Sequence, residues 1–264
     1  MRLDIYQVDA FTDRLYAGNP AAVVLCENEL SAKLMQSIAA ENNLAETAFV
    51  IIRPDRLAIR WFTPTVEVDL CGHATLAAAH VLFDYQGVAG SLLSFESRSG
   101  TLRVHKIDDV LWLDFPTDRF VREDAIPEGL INGLGIEPRE LYRGRDDYLA
   151  ILDSEDYIRD LSLDQAALAA LARLPVRGVI VSAQGNEVDF ISRFFAPQCG
   201  IPEDPVTGSA HTTLIPYWSK RLGKKKMTAR QLSARGGTLL CEDHGDRVMI
   251  GGSAVMYLKG EIYV

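Results

Sequence analysis

Arg60-Trp61-Phe62-Thr63-Pro64 is followed, after seven further residues, by Gly72-His73-Ala74-Thr75 and an apolar segment. Arg193-Phe194-Phe195-Ala196-Pro197 is followed, after ten, by Gly208-Ser209-Ala210-His211 and another. Each stretch reads as a strand, a proline-marked loop and a glycine that opens a helix, so the chain contains an internal repeat and is expected to fold as two related halves. The segment Ala74 to Phe83 carries Leu76, Ala77, Ala78, Ala79, Val81 and Leu82. A helix apolar nearly all round is one buried inside other structure. Its counterpart, Thr212 to Trp218, is less uniform and holds Pro216, which is expected to kink it.

Outward from the repeat, short alternating runs predict strands at about residues 2–8, 21–25, 47–52 and 58–62. Between them Ser31 is a suitable N-cap for a helix over 32–41, where Leu34, Met35, Ile38 and Ala39 recur at helical spacing up to Asn42-Asn43. Runs at 92–96, 102–105 and 110–114, broken by Ser99-Gly100 and Asp108-Asp109, predict antiparallel hairpins and a curled sheet in the first half. Residues 116–138 are rich in Pro, Gly and charge and are the expected boundary. Beyond them strands are expected at 148–152 and 178–183, a helix at about 164–173, and further short strands from Leu232 onward. Mixed short strands with few helices indicate an α+β fold and not a doubly wound parallel sheet. The expected division is 1–115 for the first half, with 257–264 as a candidate returning strand, and 116–256 for the second.

Composition narrows the function classes. Among 264 residues, 48% are apolar, enough for a large core without staples. The cysteines at 26, 71, 199 and 241 are widely spaced with no C-x-x-C pair, so neither a disulfide framework nor a zinc ribbon is expected, and a reduced, cytoplasmic setting fits. Charges fall inside Met1-Arg2-Leu3-Asp4-Ile5, and no run of about 18 uncharged apolar residues occurs, so neither a signal segment nor a membrane span is expected. A formal net charge of −9 opposes a nucleic-acid surface or an anionic membrane surface. The one basic run, Lys220 to Lys226, flanks Gly223 and reads as a solvated helix end.

Two glycine-opened helices facing one cleft would aim free backbone N–H groups at an anion, holding a substrate carboxylate and stabilising the enolate formed when a neighbouring carbon loses its proton. Gly72 and Gly208 let the backbone approach closely. The proton needs a base, and Glu46, between a helix end and an apolar strand, is the candidate whose pKa burial would raise. Asp204 precedes the second helix, and His73 and Ser209 occupy matching places after the two glycines, as candidate proton relay and hydrogen-bond donor. Cys71, at a helix start, is either an activated thiol or an inert buried one. His80 and His211 lack companion acids at metal-ligand spacing, and no P-loop, G-x-G-x-x-G or G-x-S-x-G motif occurs, so no metal, nucleotide or serine-hydrolase site is expected.

Over essentially its whole length the chain resembles the PhzF-like (phenazine-biosynthesis-like) isomerases. The resemblance is carried by Asp9-Ala10-Phe11, Gly18-Asn19-Pro20, Asn43-Leu44-Ala45-Glu46-Thr47, Phe62-Thr63-Pro64, Asp69-Leu70-Cys71-Gly72-His73-Ala74-Thr75 and Glu203-Asp204-Pro205-Val206-Thr207-Gly208-Ser209-Ala210. It implies the diaminopimelate-epimerase-like fold, two pseudo-symmetric halves each with a curled, mostly antiparallel sheet around a central helix, usually paired as a homodimer. It also implies a cofactor-independent isomerase acting on a small carboxylate-bearing substrate. Glu46 would transfer the proton, His73, Asp204 and Ser209 would complete the catalytic set, and Asn19, Cys71, Gly72, Thr207 and Gly208 would bind substrate. The phenazine-pathway enzyme typically lacks a cysteine where Cys71 stands. The two-cysteine epimerases carry a second thiol where this chain has Asp204-Pro205-Val206, so symmetric two-base racemisation is disfavoured. An epimerase using Cys71 as one base is the enzymatic alternative, and a non-catalytic ligand-binding protein is the alternative of another class. All four catalytic candidates are expected to line one interdomain cleft.

Overall fold

The computed structural model describes residues 1–264. Two compact units are formed, one by Met1–Phe115 with Met249–Val264 and the other by Pro116–Val248. The returning segment of the first unit is thus longer than the expected 257–264, because its strand begins to pair at Ala254.

In the first unit the elements are β1 (Arg2–Ala10), β2 (Asn19–Cys26), α1 (Ala32–Asn42), β3 (Glu46–Ile52), β4 (Leu57–Phe62), β5 (Glu67–Val68), α2 (Gly72–His80), β6 (Leu92–Ser97), β7 (Gly100–Ile107) and β8 (Val110–Pro116). β1 pairs antiparallel with β2, β2 parallel with β3, β3 antiparallel with β4, β4 parallel with β6, and β6, β7 and β8 follow antiparallel. The parallel step from β2 to β3 needs a crossover, and α1 supplies it. Ser31 caps α1 by accepting from the Leu34 N–H, and Asn43 ends it in the left-handed region at φ 49°.

In the second unit β9 (Val121–Arg122), α3 (Glu128–Leu134), β10 (Glu140–Arg143), β11 (Asp147–Ile151), α4 (Glu155–Arg159), α5 (Gln165–Leu171), β12 (Gly178–Gln184), β13 (Phe190–Ala196), β14 (Ile201–Asp204), α6 (Gly208–Leu222), β15 (Lys226–Gln231) and β16 (Gly237–Asp243) follow in order. β17 (Arg247–Gly252) leads back to β18 (Ala254–Tyr263), which lies antiparallel against β1. From β10 to β16 the pairings run antiparallel, parallel, antiparallel, parallel, antiparallel, the same succession as from β1 to β7. The repeat in the sequence is therefore a repeat of topology.

A shared ion pair fixes the equivalence residue by residue. Arg60 on β4 grips Glu67 on β5 through Nε and Nη2 at 2.8 and 2.9 Å, and Arg193 on β13 grips Glu203 on β14 through the same atoms at 2.7 and 2.9 Å. Each guanidinium also lies over the ring two residues on, Phe62 at 5.3 Å and Phe195 at 5.1 Å. Two parallel N–H···O bonds make this the stronger kind of ion pair, and the Arg60 guanidinium holds Glu67 below the usual carboxylate range.

The central helices are α2 and α6. Every α2 residue from Gly72 to Ala79 is buried, and the helix touches β1, β2, β3, β7 and β18, as a helix apolar on all sides requires. It widens into a π-turn over Val81–Tyr85, where the Gln86 N–H reaches back to the Val81 carbonyl, an irregularity the sequence pattern did not suggest. α6 runs on through Pro216 without interruption. Proline removes the bond to the carbonyl four residues earlier, and that carbonyl, on Thr212, instead accepts from the Asp118 N–H at 3.2 Å. The Trp218 indole N–H donates to Ser182 Oγ at 2.9 Å and its ring stacks on Phe190, anchoring α6 to β12 and β13. The expected boundary segment is not all linker, because α3 lies within it and buries Leu130 and Leu134 in the second core. No helix is long and apolar enough to cross a membrane.

Candidate active site

In a strand successive side chains face opposite ways, so the register of β2 against β3 decides where Glu46 points. Val24, Cys26, Phe49 and Ile51 pack with Met35, Ile38 and Ala39 of α1. Glu46 pairs with Ala21, two residues from Asn19, so Glu46 and Asn19 share the other face, toward α2. Local hydrogen bonds hold both. Asn42 Nδ2 donates to Thr47 Oγ1 at 3.1 Å and ties the end of α1 to the start of β3. Gly18, at φ 65°, turns the chain into Asn19 where a Cβ would lie 2.2 Å from the Ala10 carbonyl oxygen, so only glycine fits.

The first turn of α2 meets this face. Glu46 Oε2 lies 3.2 Å from His73 Nε2, with the side chains only 12% and 5% exposed. Asn19 Nδ2, which can only donate, is 3.1 Å from His73 Nδ1, making that nitrogen the acceptor and assigning the ring proton to Nε2. The approach of Nε2 to Glu46 is off the line of a hydrogen bond, and Nε2 is buried with no hydrogen-bond partner. Burial pushes the His73 imidazole down to about 3, so it is neutral at ordinary pH. Cys71 Sγ completes the cluster at 3.6 Å from His73 Nδ1. Of the expected site residues, Asn19, Glu46, Cys71, Gly72 and His73 are thus brought together within the first unit.

The second unit gathers Asp204 and Thr207 at the approach to α6. Thr207 Oγ1 donates to Asp204 Oδ2 at 2.5 Å, and Gln231 locks the loop by donating to the Asp204 carbonyl and to Thr207 Oγ1 while accepting from the Thr207 N–H at 2.9 Å. Ser209, one residue inside the helix, accepts from Arg177 Nη2 at 3.1 Å, and Arg177 is held by Asp147 in a paired contact. Gln231, Arg177 and Asp147 escaped the sequence reading, since none is near the glycine motif and only the pairings of β15 and of β11 with β12 bring them to it.

Neither α2 nor α6 has a side-chain cap at its start. Cys71 and Thr207, both extended, occupy the two cap positions, and the Thr207 hydroxyl is committed to Asp204. The first-turn N–H groups of each helix therefore have no acceptor within the helix or from the cap side chain, the arrangement that binds an anion. Four residues on, each cap carbonyl takes the same bond, from Thr75 Oγ1 to Cys71 at 2.6 Å and from His211 Nδ1 to Thr207 at 2.8 Å. His211 is buried against Phe190 in the second core, where it is a structural residue. Around the α6 C-terminus Arg221 pairs with Glu140, Lys225 with Asp243 and Lys226 with Glu242, while Lys224 contacts Asp189, so most of this basic run is paired with acids.

Comparison with known proteins places this geometry. The family model for phenazine biosynthesis-like proteins matches residues 8–260. An uncharacterized isomerase of Pseudomonas aeruginosa is 52% identical over 262 residues, covering 99% of both chains. The crystal structure of a phenazine biosynthesis protein of the PhzF family from Enterococcus faecalis superposes with a TM-score of 0.95 at 47% identity, over 100% of both chains. A hydroxyproline epimerase from Agrobacterium vitis, solved with bound trans-4-hydroxy-L-proline, shares the fold at a TM-score of 0.65 and 11% identity, over 99% of this chain and 92% of its own.

Proposed function

The chain belongs to the phenazine biosynthesis-like family and is an isomerase, and from that premise we propose that it moves a proton on a small carboxylate-bearing substrate with Glu46 as the acid/base and no cofactor. The observation that carries this reading is the contact of Glu46 with the buried Nε2 of neutral His73, at the start of an uncapped helix. Glu46 removes a proton from one substrate carbon and returns it to another. The α2 amides hold the carboxylate and meet the negative charge as it develops. His73 turns its Nε2–H toward the Glu46 carboxylate and orients it for the proton it carries. Asp204, Thr207, Gly208 and Ser209 form a second group of polar side chains and backbone donors, at the start of α6.

Chemistry of this kind on one carboxylate fits a chain in which only the first half-site carries a glutamate–histidine pair. A second reading is favoured by the 3.6 Å contact between Cys71 Sγ and His73 Nδ1, which sets the thiol at the start of α2 beside the same histidine. In that reading Cys71 is one base of an amino-acid epimerase. The reading also includes a homodimer, checked by sedimentation velocity.

The test is proton exchange in D₂O with small cyclic and open-chain amino and hydroxy acids, trans-4-hydroxy-L-proline among them, followed by NMR. Exchange absent in Glu46→Gln and retained in Cys71→Ala supports the glutamate mechanism. The reverse pattern supports the epimerase, and binding without exchange for every compound supports a protein that holds its ligand without turning it over.

A further inference from the structure

Glu46, Cys71 and His73 each offer one donor atom, and these atoms lie within 4.8 Å of one another. We propose that this trio is a binding site for a thiophilic divalent cation of the Zn²⁺ class, and that the ion, when bound, blocks the site. A tetrahedral zinc with Zn–S of about 2.3 Å and Zn–N of about 2.0–2.1 Å sets its sulfur and nitrogen ligands roughly 3.5 Å apart. Cys71 Sγ and His73 Nδ1 are already 3.6 Å apart. The ring proton sits on Nε2, so Nδ1 presents its lone pair, and the ion takes the place of the Asn19 N–H there. Glu46, whose Oε2 lies 3.2 Å from the opposite ring nitrogen Nε2, rotates toward Nδ1 to supply the third donor, and water fills the fourth position.

The donor set selects the metal. Thiolate with imidazole and one carboxylate suits Zn²⁺ or Co²⁺, whereas Ca²⁺ and Mg²⁺ require cages of oxygen. Charge also favours it. As the S–Zn bond forms, the Cys71 S–H bond breaks and its proton leaves to solvent, so thiolate and carboxylate together neutralise the dication in a buried place where unpaired charge is costly. The binding claim stands on geometry alone, while the block on turnover rests on Glu46 being the acid/base.

Co²⁺ is the probe, added anaerobically to the full chain. One equivalent is expected to give a thiolate-to-cobalt charge-transfer band, lost on addition of Zn²⁺, with affinity rising about tenfold per pH unit as one proton is released. Cys71→Ala should abolish the band and weaken Zn²⁺ binding by about 100-fold, Glu46→Gln should weaken it by about 10-fold or more, and Cys199→Ala, at an exposed thiol, should change neither. A wild-type protein without the band, a band that survives Cys71→Ala, or one that vanishes in Cys199→Ala overturns the site, whether or not every variant folds. Zn²⁺ bound at this site with undiminished proton exchange would leave the metal site standing and remove Glu46 as the acid/base.

Discussion

The starts of α2 and α6 are built on one frame and carry different side chains. Aligning the units by their Arg–Glu pairs sets Cys71 opposite Thr207, Gly72 opposite Gly208, His73 opposite Ser209 and Thr75 opposite His211. The backbone roles survive the exchange: an extended cap residue, a glycine, an uncapped first turn and a bond back to the cap carbonyl. The acids do not. Thr47 pairs with Phe62 and Val179 with Phe195, so the counterpart of Glu46 is Gly178. A Cβ at Gly178 would come within 2.4 Å of Phe194 Cζ, so the second frame has no room for the glutamate that the first requires. Asp204, in turn, answers to Val68 on the first side, since Phe194 pairs with Asp204 and Trp61 with Val68. The two units share the backbone of the helix start and differ in the titratable side chains around it.

The largest expected effect tests that asymmetry in function. Glu46→Gln should lower the rate of substrate proton exchange by about 10²–10⁴-fold, the usual contribution of a positioned acid/base, whereas Asp204→Asn, which keeps an oxygen for the Thr207 hydroxyl, should cost less. Equal losses would mean that Asp204 matters to turnover as much as Glu46 does.

Next in size is an attempt to build the first half-site into the second. Gly178→Glu should destabilise the chain by at least about 3 kcal/mol in urea unfolding, through the clash with Phe194 and the burial of a charge, and should add no exchange activity. An unfolding midpoint equal to that of the parent would show that Phe194 yields and that sterics did not exclude the glutamate.

The common frame makes a paired prediction. Arg60→Ala and Arg193→Ala each break a bidentate pair of charge-assisted bonds and should each cost about 3 kcal/mol, leaving a largely buried carboxylate behind. Losses differing several-fold would break the equivalence of the two strands. Glu67, with its folded pKa depressed by Arg60, contributes stability above its ordinary value of about 4.3 that is lost as pH falls through the lower folded value.

A pH-dependent effect concerns one histidine in each unit. Burial holds His73 down to about 3 and His211 to about 4, against about 6.5 in the unfolded chain. Above about pH 6.5 neither histidine affects stability. Below it the unfolded chain binds protons that the folded chain does not, so stability falls by about 1.4 kcal/mol per pH unit for each histidine until the folded value is reached. Urea unfolding at pH 7 and pH 5 reads the slope, and His211→Gln should remove one histidine's share. An unchanged slope in that variant would place the acid sensitivity elsewhere.

Much of this was legible in the sequence because it is written in short range. The helix over 32–42 follows from Ser31 and the spacing of Met35, Ile38 and Ala39, and the repeat follows from two glycine-opened helices that each come after a strand and a proline. The motif residues Asn19, Glu46, Cys71 and His73 could be named as a set through family resemblance. At Pro216 the local sequence shows the bond a proline removes but not the Asp118 N–H, ninety-odd residues away, that satisfies the freed Thr212 carbonyl. The π-turn after α2 and the grip of Gln231 on Thr207 were hidden for the same reason.

What the sequence determined by itself was local geometry and periodicity: which segments bury one face, where helices begin, and that one motif occurs twice. Tertiary structure decided the rest. The parallel register of β2 on β3 put Glu46 on the face of α2, burial set the imidazole of His73 neutral beside it, and the ring of Phe194 closed the equivalent place to any side chain. Each depends on which distant residue arrives at a given point, and strand pairing and desolvation, not local propensity, settle that.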